Sequence, residues 1–306
     1  LQDALSKALV RRFEKKLGLA FSDVVGSTPY FARFGDEAGR KLQQRHVDLV
    51  QAAVTAYHGR IVDTAGDGAF ICFGSADDAI NAMVQLQGTT AADNDNRGAE
   101  HRLRVRAGVH FGPALTDGVQ VSGDSVNFCS RVATSADVGE VRLSGAAYAA
   151  LTDIGMRLRC KRLGPTELKG VDRPVELVSL DWRDPARFPS IIRFEDGAVQ
   201  PLPRLDVVRF GRLREQDGAV ANEVVLNVDD EGKLHRISRW HFELHLKASG
   251  YHLRSVSSAP TELDGVLVPK GEERLVKPGS TVKVGGVLAL ELTHANATGD
   301  ETFLPG

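Results

Sequence analysis

The chain is poor in the residues that mark several protein classes. Among 306 residues there are only three cysteines, two methionines and two tryptophans. Cys72, Cys129 and Cys160 stand far apart and share no paired spacing. That excludes a disulfide framework or a cysteine-based zinc site and suits a reducing, cytoplasmic setting. No apolar run approaches the ~20 residues of a helical membrane span, and no leader pattern is present. Neither sign of charge dominates: 38 Lys and Arg face 40 Asp and Glu, a net charge of −2. A strongly basic nucleic-acid surface is therefore not expected, and neither nucleic acid nor membrane is an expected partner. Internal repeats and low-complexity tracts are lacking as well.

What is present suffices for real cores. The chain is 42% hydrophobic and 25% charged, and 306 residues accommodate two ordinary domains. Leu5, Leu9, Phe13 and Leu17 recur every four residues, which predicts a lead-in helix over residues 1–18. An apolar run at 17–21 predicts a buried strand. Residues 36–57 predict a helix carrying Leu42, Val47, Val50, Val54 and Tyr57, with Gly59 as its stop. The β-rich runs 60–65 and 69–73 flank Gly66-Asp67-Gly68 and predict a hairpin. Ser75 can cap a following helix. Strands are expected at 103–110, broken by Gly112-Pro113, and at 141–143, 156–163 and 175–180, with a helix at 126–136. Strands interleaved with helices indicate an α/β or α+β domain over residues 19–183.

The character changes after Trp182. Asp184-Pro185 and Phe188-Pro189 read as a linker over 184–190. Short strand candidates then recur at 191–194, 207–210, 223–226, 241–246, 251–255, 281–284 and 287–292. This predicts an all-β sandwich over 191–294, followed by a frayed tail over 295–306.

Asp23 ends a predicted strand and Asp67 sits at a hairpin tip. If the strands are neighbours, the carboxylates converge, and paired carboxylates hold hard divalent cations whose shells are completed by substrate phosphates. Gly26-Ser27-Thr28 follows as a small-residue turn able to aim backbone N–H groups at phosphate. Taken alone, each feature is equally an ordinary strand end or turn.

Five ordered motifs decide between these readings: Phe21-Ser22-Asp23-Val24-Val25-Gly26-Ser27-Thr28, Ala65-Gly66-Asp67-Gly68, Gly108-Val109-His110-Phe111-Gly112, Gly123-Asp124-Ser125-Val126-Asn127-Phe128-Cys129-Ser130-Arg131 and Glu167-Leu168-Lys169-Gly170-Val171. Together they resemble the class III nucleotidyl cyclases, the adenylate and guanylate cyclase family, over about residues 16–182. The resemblance implies a ferredoxin-like α+β domain that converts a nucleoside triphosphate into a 3′,5′-cyclic monophosphate and pyrophosphate. It implies two Mg²⁺ or Mn²⁺ ions on Asp23, Asp67 and the Val24 carbonyl. It places Asn127 on the ribose, Arg131 on the reacting phosphate and Lys169 on the terminal phosphates, beside the Gly26-Ser27-Thr28 turn already read as facing phosphate. Arg suits its task because its planar fork stays charged and matches phosphate oxygens. It also implies a homodimer: one protomer would give Asp23, Asp67 and base contacts, its partner Asn127 and Arg131.

The base pocket departs from the family pattern. Adenylate cyclases carry Lys, and guanylate cyclases Glu, four residues before the second metal Asp; here it is Asp63. Seven residues before the ribose Asn, where the family has Asp or Thr, or else Cys or Ser, stands Gln120. An Asp63 carboxylate only accepts hydrogen bonds, which suits guanine N1–H and N2–H, whereas Gln120 both donates and accepts. ATP is the favoured expectation by analogy, GTP is close, and CTP or UTP stays open.

In the second half, Phe210-Gly211-Arg212, Asn222-Glu223-Val224-Val225-Leu226, Ile237-Ser238-Arg239-Trp240-His241-Phe242 and Leu263-Asp264-Gly265 resemble the forkhead-associated (FHA) domain, over about residues 190–294. The resemblance implies a sandwich that reads phosphothreonine on a partner protein through Arg212 and Ser238, helped by Arg239, with His241 bracing the loop. The Asn-Gly that the family places before the residue matched by Thr261 is replaced by Ala259-Pro260. Two readings compete: a cyclase gated by this module, and a retired cyclase homologue in which the module is the working part.

Overall fold

The computed structural model describes residues 13–64 and 66–294. The chain divides after Trp182 into two compact units. The lead-in helix expected over 1–18 lies in part outside the described residues. Where it can be compared it is corrected, because Glu14–Val24 is one long strand, β1. Its Glu14 to Lys16 stretch pairs with Leu115, Ala114 and Pro113, so sheet hydrogen bonds override the helical spacing.

The first unit continues with helix α1 (Ser27–Ala56), strands β2 (Arg60–Asp63) and β3 (Gly68–Phe73), helix α2 (Ala76–Asn94), strands β4 (Val105–Thr116) and β5 (Val121–Ser122), helix α3 (Asp124–Thr134) and strand β6 (Val141–Ser144). Short helices α4 (Gly145–Ala150) and α5 (Ile154–Leu158) precede strands β7 (Cys160–Thr166) and β8 (Val175–Leu180). The eight strands form one sheet ordered β2-β3-β1-β4-β6-β8-β7, with β5 on β4. The run from β1 through β4, with a helix after β1 and another after β3, is a βαββαβ unit whose strand order β2-β3-β1-β4 is ferredoxin-like.

Period-two patterning gives β1 two faces. Ala20 and Val24 join the core with Leu42, Val50, Ile80 and Met83 of α1 and α2. Leu17, Leu19 and Phe21 pack instead with Phe70, Val126 and Cys129, so this face is the one that α3 covers. Burial of each large side chain here, such as Leu19 or Ile80, stabilises by about 1.5–3 kcal/mol. Gly108 permits the α3 packing, since a Cβ there would come 2.3 Å from the Ala133 nitrogen.

Several local expectations are corrected. The helix begins at Ser27, well before 36, and Gly35 at φ 80 and ψ 171 interrupts it. Its stop is His58, held at φ 55, rather than Gly59, whose missing Cβ makes room for the Phe73 ring. The buried stripe passes through His46, spaced four residues from Leu42 and Val50, and Val47 is only half-buried. Strand β4 runs on through Gly112-Pro113. Beyond Val109 it has no partner in β6, and an edge tolerates a residue without an N–H. The 156–163 stretch is split between α5 and β7. The Ser75 cap is present, its side chain accepting from the Asp78 N–H at 3.0 Å.

The second unit holds two larger sheets. One is ordered β10-β9-β21-β20-β17-β18: β10 Val199–Pro201, β9 Ile191–Phe194, β21 Leu288–Thr293, β20 Ser280–Val284, β17 Thr261–Leu263 and β18 Val266–Leu267. The other is ordered β14-β11-β15-β16-β19: β14 Val224–Val225, β11 Val207–Gly211, β15 Phe242–Lys247, β16 Gly250–Ser255 and β19 Glu273–Leu275. A small hairpin, β12 (Glu215–Gln216) with β13 (Ala219–Val220), and a one-turn helix, α6 (Glu231–Leu234), complete it. Both sheets alternate, burying Ile192, Val282, Val284, Leu290 and Leu292 in one and Val208, Phe210, Phe242, Leu244 and Leu253 in the other. The expected linker over 184–190 is corrected at its end: Phe188 is buried, its ring edge-on to Tyr251, and the Ser190 N–H bonds the Thr293 carbonyl.

Candidate functional site

Asp23 sits near the end of β1, opposite Gly68 on β3 and Arg106 on β4. Arg106 donates to Asp23 Oδ2 from Nε at 3.0 Å and Nη2 at 2.6 Å, and from Nη1 to the Thr134 carbonyl at the end of α3. Asp67 occupies the turn just before Gly68 and accepts a hydrogen bond from the Ser27 hydroxyl. The two carboxylates therefore sit at the same end of adjacent strands. Beneath them His46 of α1 bonds Ser22 Oγ through Nε2 at 3.0 Å. Burial pulls the His46 pKa down to about 4, although the charges of Asp23 and Asp67 oppose the shift.

This donor set suits a hard divalent cation, being oxygen-only. Among the described residues no three or more His, Cys, Asp or Glu side chains gather as a metal site. An ion here would complete its shell from main-chain carbonyls such as that of Val24 and from substrate oxygens, as Mg²⁺ commonly does. Gly26, at φ 83, is the N-cap of α1 and offers no side-chain cap to its first turn. First-turn N–H groups without a cap are available to an anion. Ser27 itself is buried, and its hydroxyl is committed to Asp67 rather than to a phosphate.

The second group of residues comes from α3 and the loop between β7 and β8. Asn127 is exposed and Arg131, one turn on, is half-buried, so the two share a face of α3. Leu168 and Val171 pack with Val132 and Phe128 of α3, and this apolar contact seats the intervening Lys169-Gly170 turn on the helix. A Cβ at Gly170 would lie 2.8 Å from Arg131 Nη1, so the guanidinium rests on that turn. Lys169 is exposed beside it.

Asp63 is exposed at the end of β2, where the pairing with β3 shifts between Ile61 and Asp63. Gln120 is exposed in the turn between β4 and β5. Asp117 Oδ1 accepts from the Val119 and Gln120 N–H groups at 2.8 and 2.7 Å, and Arg60 of β2 donates to the Val119 carbonyl at 2.5 Å. The turn bearing Gln120 is thereby tied to the strand bearing Asp63.

In the second unit the loops after β11 and before β15 meet. The Arg212 N–H bonds the Ser238 carbonyl and the Leu213 N–H the Arg239 carbonyl. Asn222 donates to the Leu213 and Arg239 carbonyls at 2.6 and 2.8 Å. His241 accepts from the Ser238 N–H at 3.0 Å, and Ser238 and Ser257 share a hydroxyl–hydroxyl bond of 2.5 Å. Arg239 is exposed, while Arg212 Nε is buried with no hydrogen-bond partner among the described residues.

Sequence reasoning passed over Arg106, His46 and Ser257 and gave Asn222, part of a quoted motif, no role of its own. Arg106 and Ser257 carry no local signal, because their partners come from other elements. His46 had one: it stands four residues after Leu42 and four before Val50 in a buried stripe.

The comparisons with known proteins bear on the family of the first unit. The family model described as "Adenylate and Guanylate cyclase catalytic domain" matches residues 10–180. The chain belongs to this family. Over 204 residues it is 28% identical to "Putative adenylate cyclase 3" of Rhizobium meliloti (strain 1021), covering 66% of this chain and 33% of that protein. It is 27% identical over 212 residues to a receptor-type adenylate cyclase of Trypanosoma congolense, covering 56% of this chain and 28% of that protein. The chain thus spans about a third of the length of these curated relatives. A solved adenylate cyclase of Trypanosoma brucei, analysed in its monomeric state, is 24% identical with a TM-score of 0.48, covering 55% of this chain and 90% of that one. The second unit lies beyond the residues that the family model matches. Among the described residues no helix is long and apolar enough to cross a membrane.

Proposed function

We propose that the chain is a nucleotidyl cyclase that turns a nucleoside triphosphate into its 3′,5′-cyclic monophosphate and pyrophosphate. The observation that carries this reading is the pairing of Asp23 and Asp67 at one end of β1 and β3 within a family member. Two Mg²⁺ or Mn²⁺ ions, when bound, would acidify the attacking 3′-hydroxyl and neutralise the triphosphate. The chain's own groups would do the rest. Asn127 orients the ribose, Arg131 holds charge on the reacting phosphorus, and Lys169 with the N-terminus of α1 binds the other phosphates.

Asn127, Arg131 and Lys169 form one cluster and the carboxylates another. This supports a homodimer in which one protomer supplies Asp23 and Asp67 and its partner supplies Asn127 and Arg131. ATP is the preferred substrate class, in line with the names of the curated relatives. GTP is second, favoured by the acceptor character of an Asp63 carboxylate. The test is to incubate the protein with Mn²⁺ and each of ATP, GTP, CTP and UTP and identify products by mass spectrometry. A cyclic product from one nucleotide supports the reading, and none from any of them overturns it in favour of a retired catalytic domain.

A second reading concerns the other unit: an FHA-type module that binds phosphothreonine through Arg212, Ser238 and Arg239. The buried, unpartnered Arg212 Nε supports it, since such a donor calls for an acceptor. Binding of a phosphothreonine peptide library, absent for the unphosphorylated library, is the expected result. Deleting the module is expected to change turnover or dimerisation.

A further inference from the structure

In the second unit the segment from Ser238 to His241, which leads into β15, is held along its main chain. The Ser238 N–H donates to His241 Nδ1 at 3.0 Å, and the Ser238 carbonyl accepts from the Arg212 N–H. The Arg239 carbonyl accepts from the Leu213 N–H and from Asn222 Nδ2, and a Cβ on Gly211 would come within 2.1 Å of it. The His241 N–H donates to the Phe210 carbonyl, and the His241 carbonyl accepts from the Val256 N–H. Between these fixed points Trp240 is 42% exposed. Its indole is a large apolar surface, and a side chain already carried on a fixed backbone loses little freedom when a partner covers it. Tryptophans of this kind are enriched among the residues that dominate binding.

The loop between β16 and β17 meets this segment with groups that offer a ligand little to bond. Because His241 Nδ1 accepts, Nε2 carries the ring proton of the neutral imidazole and donates to the Pro260 carbonyl at 3.3 Å. That carbonyl also accepts from the Gly285 N–H, and Pro260 has no N–H of its own. The Ala259 N–H is committed to Ser257 Oγ at 2.9 Å. Ala259 is half-buried and Pro260 exposed. Two chemistries thus adjoin. Arg212, Ser238 and Arg239 are cationic or hydroxylic, and Arg212 Nε has no hydrogen-bond partner among the described residues. Trp240, Ala259 and Pro260 are apolar.

We infer that this module reads a phosphothreonine together with a bulky apolar residue beside it, the phosphate meeting Arg212, Ser238 and Arg239 and the apolar side chain resting on Trp240 and the Ala259-Pro260 stretch. The inference rests on the phosphothreonine reading of the second unit and adds the class of partner segment. A polar neighbour in the same place would lose its bonds to water without gaining others, which is how the site discriminates.

The full chain is titrated with two phosphothreonine peptide libraries, one flanked by Leu, Ile and Phe and the other by Ser, Asn and Gln, and with their unphosphorylated forms. The apolar-flanked phosphopeptides are expected to bind about tenfold tighter, as covering one large apolar side chain allows. They should also shift the indole emission to shorter wavelength, over a constant background from the buried Trp182. Trp240→Phe should lose that shift and keep most of the preference. Trp240→Ala should bring the apolar-flanked library down to the level of the polar-flanked one, leaving the latter and the melting temperature unchanged. Equal affinity for the two libraries, an equal loss on both in Trp240→Ala, or equal binding of the unphosphorylated apolar peptides each overturns the inference. Arg212→Ala is run alongside and should weaken both libraries. If neither phosphorylated library binds the wild type, the phosphothreonine reading falls and takes this inference with it. If both bind and Arg212→Ala weakens both while Trp240→Ala changes neither, only the apolar contact falls.

Discussion

The two units hold their candidate sites in opposite ways. In the first, long elements carry the functional side chains, and side chains far apart in sequence tie those elements together: Arg106 to Asp23, Ser27 to Asp67, His46 to Ser22. In the second, short strands end in loops that hold one another through main-chain carbonyls, with Asn222 bridging Leu213 and Arg239 and His241 holding Ser238. The first arrangement fixes charged atoms on a rigid sheet, as positioning for bond-making demands. The second shapes a loop surface, the kind of surface on which the proposed recognition of a phosphothreonine segment would depend. Removing a charge should therefore abolish function in the first unit and leave its fold, whereas removing a brace in the second should cost both shape and stability.

The sharpest break of that comparison is Asp23→Ala. It should lower cyclase turnover by on the order of 10³-fold while circular dichroism and melting temperature stay close to wild type. Arg131→Ala should lose on the order of 10²-fold, and mixing the two inactive variants should restore part of the activity if the site is shared across a dimer. An active Asp23→Ala variant would refute the metal assignment, and no recovery on mixing would refute the shared site.

Next in size is Arg212→Ala in the second unit. Loss of a charge-assisted contact costs about 1.5–3 kcal/mol, so phosphothreonine-peptide affinity should fall by at least tenfold in a titration. Unaltered affinity would move recognition away from these loops.

A pH effect belongs to the first unit. His110 of β4 bonds Ser144 Oγ at 2.9 Å and meets the Phe128 ring edge-on. Burial lowers its pKa to about 4, whereas the unfolded chain protonates it near the ordinary histidine value. Between those values the unfolded state binds more protons, so stability falls as pH drops through that window, by up to about 3 kcal/mol. Urea melts at pH 7 and 4.5 should show the loss, and His110→Gln should reduce it, the rest belonging to His46, whose pKa burial lowers in the same way. A slope unchanged in that variant would assign it elsewhere.

The smallest expected change is Asn222→Ala. It leaves the Leu213 and Arg239 carbonyls short of a donor and should destabilise the second unit by about 1–3 kcal/mol, read as a lower melting temperature for that unit. A loss of peptide binding without any loss of stability would mean that the brace is a contact.

Much of this architecture was legible locally. The strands at Val175–Leu180 and Ile191–Phe194 coincide with their apolar runs, and the hairpin around Gly66-Asp67-Gly68 forms where the Asp-Gly signal placed it. Misreadings cluster where a neighbour outbids a local preference. Pro113 stays in β4 because that part of the strand has one side without β6, and Glu14 to Lys16 extend because β4 offers them partners. His46 went unread because an apolar letter stood beside it at Val47.

By itself the sequence determined the membership in the cyclase family, the identities of the candidate groups and the break between two units. Each of those is written in residue type and spacing along the chain. Only the tertiary structure decided which groups meet: Arg106 on Asp23, Ser27 on Asp67, His46 on Ser22, and Arg131 on the Gly170 turn. Those meetings depend on sheet order and register, which arise when distant strands pair and are not encoded in any one stretch.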